Sequence, residues 1–336
     1  MTAQHPAAPA PAAPEPGRAR IRVGSAPDSW GVWFPDDPEQ VPWQRFLDEV
    51  SACGFEWIEL GPYGYLPTDP AQLSDELAAR DLRVSAGTVF EHLHRPDAWD
   101  AVWGQVKDVA ALTQAMGGTH VVVIPDTFRD QKTGADIESR ELTAEQWQAK
   151  TSGVDRLARA IQEEYGLSIA YHPHAESHVG WQRDIERFLA DTDPQYVPLC
   201  LDTGHVSYYR GDNLELINKY PERIGYLHLK QVDPALIDEV LEKDIVWPEA
   251  VRMGAMVEPP NGVPDYPPLL QAIEELGLDV FAIVEHDMYP CPPDMPFPIA
   301  QRTHRYIASC GFGSVEIGRP KTAAQQTPAA GTEAQA

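Results

Sequence analysis

Eight short runs of apolar and β-branched residues recur along this chain, separated by longer stretches whose apolar residues repeat with helical spacing. The runs fall at 21–26, 57–60, 82–89, 120–124, 168–172, 197–202, 224–229 and 281–285. Helical spacing is clearest over 43–52, 70–80, 99–116, 144–165 and 266–276. Gly54, Gly117, Gly166 and Gly277 follow these stretches, where a left-handed cap residue is expected. Eight βα units in about 300 residues match an α/β fold of the TIM (β/α)8 barrel type, whose chemistry sits at the C-terminal ends of the strands. A doubly wound open sheet is the main alternative, but the Gly-rich phosphate turn GxGxxG that often accompanies it is absent.

Composition sets the limits of the fold and of its partners. The segments 1–19 and 319–336 are dominated by Ala, Pro and small polar residues and offer little apolar surface to offset the entropy of ordering. They are expected to be disordered tails around a single domain at 20–318. With 51 Asp+Glu against 26 Lys+Arg, the formal net charge is −25, which repels nucleic acid. No apolar run approaches the roughly 20 residues needed to span a bilayer, and no signal peptide is legible, so a soluble cytoplasmic protein is expected. Cys53, Cys200, Cys291 and Cys310 lie far apart, without a CxxC pair, and are read as reduced thiols that behave as small buried hydrophobes.

Polar residues concentrate where the second-half runs end. The fifth leads into His172, Pro173 and His174, and the sixth into Asp202, Thr203, Gly204 and His205. The seventh carries His228 and Lys230, and the eighth ends in Glu285, His286 and Asp287. Four consecutive strands would thus bring imidazoles and carboxylates to one rim, a donor set suited to a divalent metal with open positions for substrate. In the first half, Trp30, Trp33, Phe34, Tyr63 and Tyr65 are placed to wall a small polyol, with Glu59 accepting hydroxyl hydrogen bonds. The same aromatics are equally suited to plugging the barrel or building a dimer or tetramer interface. His5, His120 and His304 are read as ordinary histidines, His92 and His94 follow the third run with a place at the rim as their lesser reading, and 126–142 is read as a lid or a solvated loop.

The strings YHPHAES, DTDPQYVPLCLDTGHVSYYRGD, RIGYLHLKQ, MGAMVEPPNGVPDY and VEHD resemble the xylose isomerase-like TIM barrels of the sugar-phosphate isomerase/epimerase superfamily, and within it the inosose (2-keto-myo-inositol) dehydratases. The resemblance extends over most of 21–310. It implies one divalent ion at the barrel mouth, manganese or cobalt before zinc or magnesium, held by His172, Asp202, His228 and Glu285. It also implies that His205 touches substrate, and no organic cofactor is expected. Several features depart from the pattern. His172 stands where many isomerases and epimerases have Glu, Pro173 interrupts a run of three His, and Gln231 replaces the carboxylate that often closes strand seven. The opening APDSWGVWFP differs as well.

An epimerase of this type works with a carboxylate on each face of the carbon beside a ketone, and His172 removes that symmetry. Dehydration needs one base, a Lewis acid and an acid for the leaving hydroxyl. The expected reaction is therefore loss of water from a cyclic polyol ketone, with Glu285 as base, His174 or His205 as acid and Lys230 holding an oxygen. A metal-dependent isomerase or epimerase is the alternative. A repair nuclease on the same barrel is disfavoured by the net charge, and a non-catalytic polyol binder is the third reading.

Overall fold

The computed structural model describes residues 19–310 and 313–321. Its strands are β1 (Arg20–Ser25), β2 (Trp57–Glu59), β3 (Arg83–Glu91), β4 (His120–Pro125), β5 (Ser168–Tyr171), β6 (Leu199–Asp202), β7 (Ile224–Leu229) and β8 (Asp279–Val284). Each pairs in parallel with the next, and β1 pairs with both β8 and β2, so the sheet closes into an eight-stranded barrel with helices outside. A short ninth strand, β9 (Val315–Glu316), lies parallel to the start of β1. All eight expected strands are present, with ends that differ by a few residues. Gly54, Gly117, Gly166 and Gly277 all have positive φ, as a left-handed cap requires. Closure between β1 and β2 depends on Gly24, where an added Cβ would lie 2.4 Å from the Trp57 carbonyl oxygen.

The strand residues alternate between two cores. Those facing outward (Val23, Ile58, Val84, Val121, Ile169, Leu201, Leu227) pack with the helix faces into one large cluster. Those facing inward fill the barrel with small and bulky side chains: Ala26, Ala86, Val122, Ala170 and Cys200 against Tyr226, Phe281 and Ile283. The Tyr226 hydroxyl donates to Ser85 Oγ at 2.8 Å, which satisfies a phenol in that interior. All four cysteines are free thiols, and Cys53 and Cys200 are buried as expected. None of the described helices is long and apolar enough to cross a membrane.

Segments 1–18 and 322–336 lie outside the described residues. Ala19 is buried beside β1. Of the expected C-terminal tail, Lys321 donates its backbone N–H to the Ala52 carbonyl and its ammonium to Asp81, so this end lies against the outside of the barrel.

His120 begins β4 and turns into the barrel floor against Tyr226 and Phe281. Burial, reinforced by Arg22, lowers its pKa to about 4. The unfolded ring takes up a proton near its ordinary value of about 6.5, so between these values the unfolded chain binds more protons and stability falls as pH falls. The ring keeps partial solvent contact, which reduces the effect to about 2 kcal/mol. Denaturant titrations at pH 7 and pH 5 are expected to show this loss in the wild type and a smaller one in His120→Asn.

Candidate active site at the barrel mouth

The C-terminal ends of β5 to β8 place their polar residues together, buried from water. Asp202 is the N-cap of the short helix Thr203–Tyr208, and its Oδ1 accepts the N–H groups of Gly204 and His205, each at 2.8 Å. This fixes the carboxylate and turns Oδ2 inward. His172 Nε2 lies 3.2 Å from that oxygen and His228 Nδ1 3.7 Å from it. Glu285 Oε2 is 3.0 Å from His228 Nδ1. One donor atom from each of His172, Asp202, His228 and Glu285 fits within 4.8 Å of the others, a grouping able to hold a metal ion. Cys200, two residues before Asp202, also comes within that distance of both imidazoles.

The hydrogen bonds leave donor atoms free for such an ion. His228 Nε2–H donates to Glu59 Oε1 at 2.7 Å, which directs the lone pair of the other ring nitrogen into the cluster. His172 turns Nε2 and His228 turns Nδ1 toward Asp202 Oδ2, so each ring can offer the nitrogen on that side to an ion. Burial favours neutral His228, but its neighbours, led by Cys200, Glu285 and Glu59, push its pKa well above the ordinary value. The pocket therefore draws positive charge to this point. Glu285, which burial would protonate, is instead held at about 2 by His228 and Lys230.

Lys230 completes the charge balance. Its Nζ lies 3.2 Å from Asp202 Oδ2, 3.1 Å from Glu285 Oε2 and 2.7 Å from Asp287 Oδ2. It is also 3.4 Å from His205 Nε2. His205 Nδ1 accepts the Ala175 N–H at 3.1 Å, so a neutral ring must carry its proton on Nε2, toward the cluster. His174 has the opposite tautomer: its Nδ1–H donates to the Ala175 carbonyl at 2.7 Å, and its Nε2 is an acceptor. Burial, aided by the neighbouring His172, lowers His174 to about 3, and burial with His174 and Lys230 lowers His205 well below its ordinary value. Both rings are neutral at neutral pH.

The first-half residues fall in other places. Trp30 belongs to the core: the turn Pro27–Trp30 points its indole outward, where Nε1–H donates to Glu49 and the ring packs edge-on against Phe46. Glu59 is buried against His228 instead of facing substrate, at the point where the β2–β3 register shifts after Ile58. Trp33 stacks on Tyr289 at 5.0 Å, Tyr63 is 41 % exposed, and Tyr65 is buried with its hydroxyl on the Val41 carbonyl. The aromatic ring that borders the cluster is Trp247, 4.6 Å from His205 and 5.3 Å from His174 between centroids. It comes from the helix Trp247–Arg252, and no feature of the linear sequence marked it. Asp28, in the APDSW string, is likewise part of the site. Burial, with Glu285 and Asp287 nearby, raises its pKa well above the ordinary value.

The segment 126–142 is anchored. Phe128 N–H donates to the Glu176 carbonyl, Arg129 pairs with Glu176 and Asp244, and His178 Nε2–H donates to the Ser139 carbonyl. Behind the rim, Lys150 forms a fully buried ion pair with Glu91. The Tyr171 hydroxyl (2.9 Å) and the Leu93 N–H (2.8 Å) complete the hydrogen bonding of that carboxylate.

A closed parallel barrel with a His/Asp/His/Glu cluster at its C-terminal mouth defines a class of enzyme scaffold. Residues 47–310 match the model of the xylose isomerase-like TIM barrel family, and the chain belongs to that family. An inosose dehydratase of Lacticaseibacillus casei (strain BL23) is 28 % identical over 297 residues, covering 86 % of this chain and 96 % of the relative. Among solved structures, the IOLI protein with a binding zinc atom superposes with a TM-score of 0.64 at 17 % identity, covering 87 % of this chain and all of that one. A probable 3-DHS dehydratase, AsbF, from Bacillus anthracis gives a TM-score of 0.66 at 13 % identity, covering 86 % and 99 %. At these identities the structural likenesses establish the barrel.

Proposed function

We propose that this chain is a metal-dependent hydro-lyase that removes water from 2-keto-myo-inositol, giving a trihydroxycyclohexane dione. The observation that carries the reading is the joint position of His172, Asp202, His228 and Glu285 beside Lys230, in a chain whose relatives across 86 % of its length include an inosose dehydratase. His172, Asp202, His228 and Glu285 would hold the ion, with Glu59 orienting His228 from behind. Two imidazoles and two carboxylates suit manganese or cobalt and also accept zinc or magnesium. When bound, the ion supplies a Lewis acid that polarises a ketone and acidifies the adjacent C–H.

The remaining chemistry falls to side chains. Glu285, ionised, takes the α-proton. His205 presents Nε2–H and supplies the proton that converts the leaving hydroxyl into water, while His174, an acceptor at Nε2, is suited to binding a substrate hydroxyl. Lys230 lies 3.1 Å from Glu285 and 3.4 Å from His205: its ammonium gives a proton to the imidazolate left on His205, and the amine so formed takes the α-proton from Glu285, which resets all three groups. Trp247 excludes water along one side. A neutral polyol ketone suits this mouth better than a sugar phosphate, because its conspicuous cation, Lys230, is already engaged by three carboxylates.

The deciding experiment incubates the manganese-loaded protein with 2-keto-myo-inositol and resolves the products by mass. A dione lighter by one water supports the reading, an isomer of unchanged mass would make the enzyme an epimerase, and no turnover with an intact metal would favour a binding protein. His205→Gln is expected to retain the ion and lower kcat by about 10² to 10⁴-fold. Full activity in that variant would remove His205 as the acid.

A further inference from the structure

A second group of metal-binding side chains lies outside the mouth cluster and shares no residue with it. His94 follows β3, Glu138 lies in the 126–142 segment, and His178 follows β5. One donor atom from each falls within 4.8 Å of the others. His94 is 2 % and His178 6 % exposed, and their rings meet edge to face at 4.8 Å. His94 Nε2 lies 3.1 Å and 3.0 Å from the two oxygens of Glu138. The second nitrogen of each ring is unexplained. His178 spends its Nε2–H on the Ser139 carbonyl, so its Nδ1 carries a lone pair, and that Nδ1 is buried with no hydrogen-bond partner. Nδ1 of His94 also has no partner, but it lies on the far side of the ring from Glu138, so His94 would offer Nε2 to the ion with its proton moved to Nδ1. Buried imidazole nitrogens without partners are rare in folded proteins, because each has lost its hydrogen bond to water.

We propose that His94, His178 and Glu138 form a second divalent-metal site, of the zinc class, that fastens the 126–142 segment to the barrel rim. Two imidazoles and one carboxylate with room for a water are a common zinc donor set. The Ser139 carbonyl behind His178 is the kind of outer contact that fixes a ligand ring's tautomer and aim. Arg95, which grips both oxygens of Glu138 at 3.1 Å and 3.2 Å, leaves each oxygen a further lone pair for an ion.

The test is zinc stoichiometry of the full chain after chelation, reloading and desalting, independently of turnover. Two ions per chain are expected for the wild type, and one each for Asp202→Asn, which disables the mouth cluster, and for His178→Gln. Glu138→Gln, at a side chain that is 20 % exposed, is expected to lose or weaken the same ion. In Asp202→Asn, added zinc should also slow tryptic cleavage at the exposed Lys132. One ion in the wild type with none in Asp202→Asn would overturn the site, as would two ions in both His178→Gln and Glu138→Gln. Cleavage at Lys132 indifferent to a bound second ion would overturn its fastening role.

Discussion

Glu285→Gln should lose turnover of 2-keto-myo-inositol by about 10⁴-fold or more, because one substitution removes two functions. An amide cannot accept the α-proton, a loss of typically 10² to 10⁴-fold, and it is a neutral and weaker donor toward the ion that His172, Asp202 and His228 would share. The charge balance of the pocket also shifts. Lys230 and His228 both owe part of their positive charge to Glu285, and without it the remaining carboxylates face less competition for Lys230. Parallel measurement of metal content and of product mass separates the two contributions: a variant that keeps its ion and still fails to turn over has lost the base. Activity within tenfold of the wild type would show that another group removes the proton.

Lys150→Met is expected to destabilise the fold by about 3–5 kcal/mol while leaving the mouth residues in place. The Lys150 side chain is 1 % exposed and that of Glu91 fully buried, and this pair closes the gap between β3 and the helix Ala144–Tyr165. Burial favours a protonated Glu91, yet Lys150, the Leu93 N–H and the Tyr171 hydroxyl together hold its pKa below the ordinary value. Removing only the ammonium leaves a carboxylate that has been taken out of water and must either stay charged without its partner or take up a proton. The double variant Lys150→Met, Glu91→Gln should recover much of the loss, since it removes both charges. Denaturant unfolding of the two variants reads the difference directly, and a single variant as stable as the wild type would show that the pair contributes nothing net.

Much of the architecture was legible in the chain, for reasons that are local. A strand buried on both faces must be apolar and short, and an amphipathic helix must repeat near 3.6 residues, so eight alternations, their caps at Gly54, Gly117, Gly166 and Gly277, and the barrel count follow from periodicity alone. The second-half cluster was legible for the same reason. In a parallel barrel all strand ends with the same polarity meet on one face, and His172, Asp202, His228 and Glu285 each sit where a strand stops. Glu59, Trp30, Trp247 and the 126–142 segment were not legible in this way. Glu59 reaches His228 through a register shift, Trp30 is turned outward by a four-residue helical turn, and Trp247 enters from a helix long after strand seven.

The amino-acid order therefore determined by itself which residues form the barrel and which polar side chains stand on its rim, because both depend on short-range periodicity. The tertiary structure alone decided their partners: the tautomers of His174 and His205, the carboxylate behind His228, the salt links of Lys230, and the pairing of His94 with His178 and Glu138. Those depend on hydrogen bonds between residues far apart in the chain, in a buried setting where the geometry around each ring nitrogen decides whether it gives a proton, accepts one or is left to bind a cation.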